Sequence, residues 1–218
     1  MNLIEPILAD AAAITAIRRD IHAHPELCFQ ENRTADVVAK ALTDWGIPIH
    51  RGLGTTGVVG IIKNGTSSRA VGLRADMDAL PMTEHNTFEH ASKHVGKMHA
   101  CGHDGHTAML LAAAKHLSKH RNFDGTVYLI FQPAEEGGGG AREMIKEGIF
   151  DKFPMEAVFG AHNWPGMAAG QFADAPAQLL LLDSCHRHGP ALRVAVLAGQ
   201  TAGTALRNPE SILQNTDG

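Results

Sequence analysis

The chain of 218 residues reads as an α/β protein, and three observations predict that class. Helical and strand patterns alternate along most of its length, as in a sheet layered with helices. Thr126-Val127-Tyr128-Leu129-Ile130-Phe131 has the length and the β-branched and aromatic content of a buried strand. The residues with the most distinctive chemistry cluster where such strands end, which is where open α/β sheets carry their sites.

Taken in order, Ile7, Leu8, Ala11, Ile14 and Ile17 recur at helical spacing and predict an amphipathic helix over 5–22. His24-Pro25-Glu26 stops it, because a residue before proline is pushed out of helical geometry. Val37, Val38, Ala41, Leu42 and Trp45 predict a second helix over 32–45, closed by Gly46. Val58 to Ile62 and Ala70 to Leu73 predict two short strands around an Asn64-Gly65 turn. A helix capped by Asp104 is expected over 105–119, then the strand 126–131, a helix over 141–147 after four glycines, and a strand at 157–160. Residues 177–218 change character: a leucine run, Cys185-His186-Arg187-His188, and an Ala/Gly/Thr-rich end without clear period. The expected organisation is therefore a catalytic-type segment over 1–176 and an atypical tail over 177–218.

The run Met98-His99-Ala100-Cys101-Gly102-His103-Asp104-Gly105-His106 packs a thiol, three imidazoles and a carboxylate together. Cys101 and His103 at i, i+2 project from one face of an extended segment, as two ligands of one metal must. A buried thiol beside a satisfied histidine is the plainer alternative. Gly102 permits a close turn and Asp104 can accept from an imidazole N–H, which favours the ligand reading. Glu135 and Glu136 lie just past the strand 126–131 and before the glycines 137–140. In an extended segment they would point oppositely, one to a metal and one to a substrate as general base. His162 ends the strand that follows and, on spacing alone, serves equally well as ligand or as structural residue. Thiolate, imidazole and carboxylate together suit a zinc- or manganese-class ion, and the chemistry they imply is metal-assisted amide hydrolysis.

Composition narrows the partners. A formal net charge of −4 without a Lys/Arg cluster gives no reason to expect nucleic acid. No apolar run approaches the ~20 residues of a membrane span, and no signal-peptide pattern opens the chain. Three separated cysteines argue against a disulfide framework, so the expected compartment is the cytoplasm. Eight of the fourteen histidines fall between His85 and His120, and most of those are expected to be surface or supporting residues.

Several segments in order resemble the dimetal N-acyl-amino-acid amidohydrolases, the group of hippurate hydrolases, aminoacylases and auxin-conjugate hydrolases. They are Arg18 to Leu27, Leu73 to Pro81, Met98 to His106, Phe131 to Gly139 and Gly160-Ala161-His162. The resemblance implies a co-catalytic metallo-exopeptidase-like α/β catalytic domain, incomplete and without the lid and dimerisation domain inserted in relatives. It implies two divalent ions, manganese or zinc, held by Cys101, His103, Glu136 and His162, with Glu135 as general base. Asp76, Asp78 and His106 are expected to support the site, and His24 to border a pocket. The implied substrate is a small N-acyl or N-aroyl amino acid. Relatives dimerise through the lid and take a last histidine ligand from beyond it. Residues 177–218 show neither the lid's motif nor returning strands, so a catalytically inactive fragment that binds metal weakly or joins a partner is the alternative reading.

Overall fold

The computed structural model describes residues 4–166, together with the backbone of 172–175 and 191–197. The elements are α1 (Ile4–Leu8), α2 (Ala11–Ala23), α3 (Asn32–Asp44), β1 (Ile49–Leu53), β2 (Gly57–Asn64), β3 (Ala70–Asp76) and α4 (His103–Lys119). They continue with β4 (Gly125–Gln132), α5 (Gly140–Lys146), α6 (Ile149–Lys152), β5 (Ala157–Asn163), β6 (Phe172–Ala175) and β7 (Ala191–Leu197). Among the described residues the strands form one sheet in the order β1-β2-β4-β3-β5-β7-β6.

Both faces of that sheet are covered, and the strand sequences show why. Along β2, Val58 belongs to one core and Val59 to the other; along β4, Leu129 and Phe131 face one side and Ile130 the other. Period-two alternation therefore puts apolar side chains on each face, as a sheet between two layers requires. On one face Val38, Leu42 and Leu111, from α3 and α4, meet Leu129 and Phe131; on the other, Met144, Ile149 and Phe153 meet Val59 and Val158. Each such side chain contributes about 1.5–3 kcal/mol through burial.

Topology places the site. β3 runs parallel to β4 on one side and to β5 on the other, with Asp76 opposite Gln132 and Arg74 opposite Gly160. The chain leaves β3, returns as β4 on one side, then as β5 on the other. The carboxyl ends of these three strands thus flank the crevice where open α/β sheets bind ligands.

Several expected elements differ in detail. The helix over 5–22 is two helices, α1 and α2, broken at Asp10, whose N–H donates to the Ile7 carbonyl and whose carboxylate meets Lys115 and Lys119 on α4 at 2.8 and 3.3 Å. The strands flanking Asn64-Gly65 do not form a hairpin: β2 pairs antiparallel with β1 and β4, and β4 separates it from β3. The Asn64 side chain donates instead to the Phe123 and Arg121 carbonyls, tying that turn to the approach to β4. Asp104 does not cap α4; Gly102 precedes its first residue in a left-handed conformation. Within 177–218, a segment whose pattern allows one helix or strand, β7 pairs in parallel with β5 and antiparallel with β6. Its run Leu192, Val194, Val196 has strand alternation, and Gly189-Pro190 precedes it. The remaining residues of 177–218, including Cys185, His186 and His188, lie outside the described residues.

Candidate metal centre

Four segments deliver the side chains. Past β3 comes Asp78; Gly102, at φ +87°, turns the chain so that Cys101 precedes and His103 opens α4. After β4, Ala134 adopts φ +50°, a left-handed conformation unusual for a residue with a Cβ, and swings Glu135 and Glu136 inward. His162 and Asn163 close β5.

All five predicted site residues converge. The ligating atoms of Cys101, His103 and His162 lie within 4.8 Å of one another, as do those of His103, Glu135 and Glu136. Cys101 Sγ is 3.5 Å from His162 Nε2, and His103 Nε2 is 3.9 Å from Glu135 Oε2 and 3.8 Å from Glu136 Oε1. His103 is shared by both groups. Its other nitrogen, Nδ1, meets Asp78 Oδ1 at 3.2 Å, which fixes the ring and leaves Nε2 directed at the two glutamates.

A third group of possible ligands, Asp76, His103 and His106, is also compact. Asp76, however, already accepts from His106 Nδ1 at 2.6 Å and from Arg74 Nη1 at 2.7 Å. The other His106 nitrogen accepts the Asn163 backbone N–H at 3.0 Å. These groups are satisfied as they stand. His103 Nε2 and Glu135 Oε2, by contrast, are buried without a hydrogen-bond partner. A buried polar atom left unpaired costs about 1–3 kcal/mol, so those two atoms and the donors around them fit a cation.

Electrostatics follow from burial and crowding. Burial, reinforced by the Asp76 charge, pushes the Glu135 carboxyl up to about 7. Burial and the neighbouring His106 push His162 down to about 4. Asp76 is held well below the usual carboxylate range: its burial acts upward, but Arg74, His103 and His106 outweigh it.

The geometry corrects three details of the sequence reading. Cys101 and His103 meet through the left-handed turn at Gly102, not by projecting from one face of a strand. Glu135 and Glu136 sit in a turn and approach the same imidazole instead of pointing apart. Asp104 does accept from an imidazole, but from His22 at 2.9 Å and not from His103. Asp78 contacts His103 and His106 contacts Asp76, whereas His24 bonds back to the Asp20 carbonyl and packs near His94. Cys28, Glu31 and Asn163 were missed. Their contacts to the site span 50 to 108 residues of sequence, a separation local patterns do not reveal.

The profile of peptidase family M20/M25/M40 matches residues 72–210. The chain belongs to that family. Among curated relatives, it is 52% identical over 165 residues to the hippurate hydrolase of Campylobacter jejuni, covering 76% of this chain and 43% of that protein. It is 45% identical over 173 residues to the N-acyl-L-amino acid amidohydrolase of Geobacillus stearothermophilus, covering 78% of this chain and 45% of that protein. The crystal structure of the YXEP protein of Bacillus subtilis, a dinuclear metal binding peptidase from the M20 family, superposes with a TM-score of 0.72 at 40% identity. That superposition covers 76% of this chain and 47% of the YXEP chain. The chain thus spans a little under half the length of these relatives. Among its described residues, no helix is long and apolar enough to cross a membrane.

Proposed function

We propose that the chain is a metal-dependent amidohydrolase that releases an amino acid from small N-acyl or N-aroyl conjugates of the hippurate kind. One observation carries the reading: two buried, unpartnered atoms, His103 Nε2 and Glu135 Oε2, lie in a cradle completed by Cys101, Glu136 and His162. The likeness to a hippurate hydrolase and to an N-acyl-L-amino acid amidohydrolase supports the substrate class. The donor set fits two divalent ions of the manganese or zinc class, with Cys101, His103, Glu136 and His162 as ligands. When bound, such ions supply an acidified water and a positive field for the developing oxyanion.

The protein groups do the rest. Glu135 takes a proton from the water whose oxygen bonds to the amide carbonyl carbon. As the carbon–nitrogen bond breaks, it delivers that proton to the departing nitrogen, leaving a carboxylic acid and a free amino acid. Asp78 holds His103 in orientation, and the Asp76–His106–Asn163 chain steadies the neighbouring wall.

A second reading, a chain that binds metal weakly and turns nothing over, is favoured by the donor count. The three candidate ligand groups among the described residues all share His103, so they do not make two separate complete sites. The test is hydrolysis of a panel of N-acyl amino acids, hippurate included, with added Mn²⁺ or Zn²⁺. Metal-dependent turnover that falls by about 10²–10⁴-fold in Glu135→Ala establishes the first reading. Bound metal, a folded chain and no turnover select the second.

A further inference from the structure

The turn between α2 and α3 reaches both flanks of the Glu135–Glu136 pair. Upstream, the Ala134 N–H donates to Glu31 Oε1 at 2.8 Å. Downstream, Cys28 Sγ lies 3.0 Å from the Glu136 carbonyl oxygen and 3.2 Å from Asp78 Oδ2. The same Asp78 oxygen accepts the Glu136 N–H at 2.9 Å, so both polar groups on the Glu136 backbone are held. Glu135 lies between the two clamped residues.

The turn is itself anchored. Glu31 is fully buried, and its second oxygen accepts from the Thr56 hydroxyl at 2.6 Å; its first also accepts the Phe29 N–H. Glu26 accepts the Arg33 and Thr34 N–H groups at the start of α3, and its carbonyl receives the Ala79 N–H beside Asp78. This rigidity matters because Ala134 at φ +50° is a strained conformation for a residue with a Cβ, and it persists only where its surroundings over-determine it.

We propose that Cys28 and Glu31 are positioning residues for the Glu135–Glu136 pair: the Glu31 carboxylate holds the left-handed Ala134, and the Cys28 thiol holds the Glu136 peptide. The inference rests on the reading of that pair as general base and metal ligand. Cys28 Sγ faces only acceptors here, the Glu136 carbonyl oxygen and Asp78 Oδ2, so it acts as a neutral S–H donor and not as a thiolate ligand. The Cys28 proton serves either the Glu136 carbonyl or Asp78 at one time, and both acceptors belong to the same assembly.

The test uses the full chain and two readouts, so that the brace and the metal reading fail separately. Amide exchange of the metal-free chain is followed by mass spectrometry over segment 133–138 and over β4 as internal control. Co²⁺ is titrated against a chromophoric chelator, with the visible Co²⁺ spectrum recorded. In Cys28→Ala and Glu31→Ala, exchange over 133–138 speeds up about tenfold while β4 is unchanged, as for local opening. Co²⁺ affinity falls about tenfold and its absorption bands shift, the cost typical of losing support behind a ligand. Cys28→Ser keeps its hydrogen bonds, and Glu31→Gln keeps an acceptor for the Ala134 N–H while its NH2 donates to the Thr56 hydroxyl; both restore exchange and affinity. Unchanged exchange over 133–138 in both alanine variants overturns the proposal, as does equal acceleration in β4, the mark of general destabilisation. If Glu31→Ala does not fold, the Cys28 pair and Glu31→Gln decide the matter. If the unmodified chain binds no Co²⁺, the metal reading fails, and the exchange data alone accept or reject the brace.

Discussion

Asp78 Oδ1 lies 3.2 Å from His103 Nδ1, and both groups are buried, so the carboxylate determines which imidazole nitrogen faces the glutamates. Replacing Asp78 with alanine leaves Nδ1 buried without a partner and frees the Glu136 N–H. Mn²⁺ or Zn²⁺ affinity, measured by chelator competition, is expected to fall about 10–100-fold. An affinity within twofold of the unmodified chain would show that the ring is held by something else.

Gly102 is the turn on which Cys101 and His103 meet. At φ +87° a side chain is strained by about 1–2 kcal/mol, and a Cβ there would sit 2.6 Å from Asn163 Oδ1. Gly102→Ala therefore displaces Asn163 from His106 as well. Denaturant unfolding is expected to show a loss of about 2–3 kcal/mol, the strain plus about one hydrogen bond. A variant as stable as the parent would contradict the close approach.

Bound metal should stabilise the native state by mass action. At a free concentration about a hundredfold above Kd, the gain is about 2.7 kcal/mol. Thermal melts of the unmodified chain with Mn²⁺ or Zn²⁺ are expected to shift upward. His103→Ala, which removes the donor common to both ligand groups, should melt at a temperature insensitive to metal.

His22 is buried between two carboxylates, with Asp104 at Nδ1 (2.9 Å) and Glu84 at Nε2 (3.1 Å); His90, His99 and Phe88 pack around it, and Arg18 reaches Asp104. Burial alone lowers the His22 pKa, but Asp104 and Glu84 outweigh it, and the net shift is upward from 6.5. Burial raises Glu84, while Asn86, Ser92 and His22 bring it below its usual 4.5. A raised histidine contributes fully below its unfolded pKa and loses that contribution as pH rises through the folded one. A lowered carboxylate contributes above its unfolded pKa and loses it as pH falls through the folded one. The network is thus strongest between about pH 4.5 and 6.5. His22→Gln should cost most in that window, about 3–5 kcal/mol as for a broken buried pair, and less at alkaline pH. Unfolding midpoints of both proteins across that range check the difference; a cost that grows toward alkaline pH would reverse the sign.

What was legible in the sequence was local. The buried strand around Phe131 and the helix ending at Gly46 were visible because burial and chain reversal leave their mark within a few neighbouring residues. Cys101, His103, Glu135, Glu136 and His162 were recognisable by their chemistry, yet the geometry that unites them was not. It depends on left-handed turns at Gly102 and Ala134, and alanine gives no hint of φ +50°. Asn64-Gly65 carries a strong hairpin signal, but the sheet inserts β4 between the strands it separates. Glu31 and Cys28 were invisible for a related reason: an acid and a thiol in a loop say nothing about partners more than a hundred residues away.

The place of β3 between β4 and β5 has a consequence for biosynthesis. β3 is made before either of its neighbours, and each pairing closes a long stretch of chain, a pattern that slows folding. A ribosome-bound chain that has not yet emerged through Asn163 has a half-paired central strand and lacks the imidazole that closes one wall of the crevice. Until then, the apolar strand edge is open to chaperones and to aggregation. Acquisition of metal by the nascent protein would therefore mark the pairing of β3 on both of its edges.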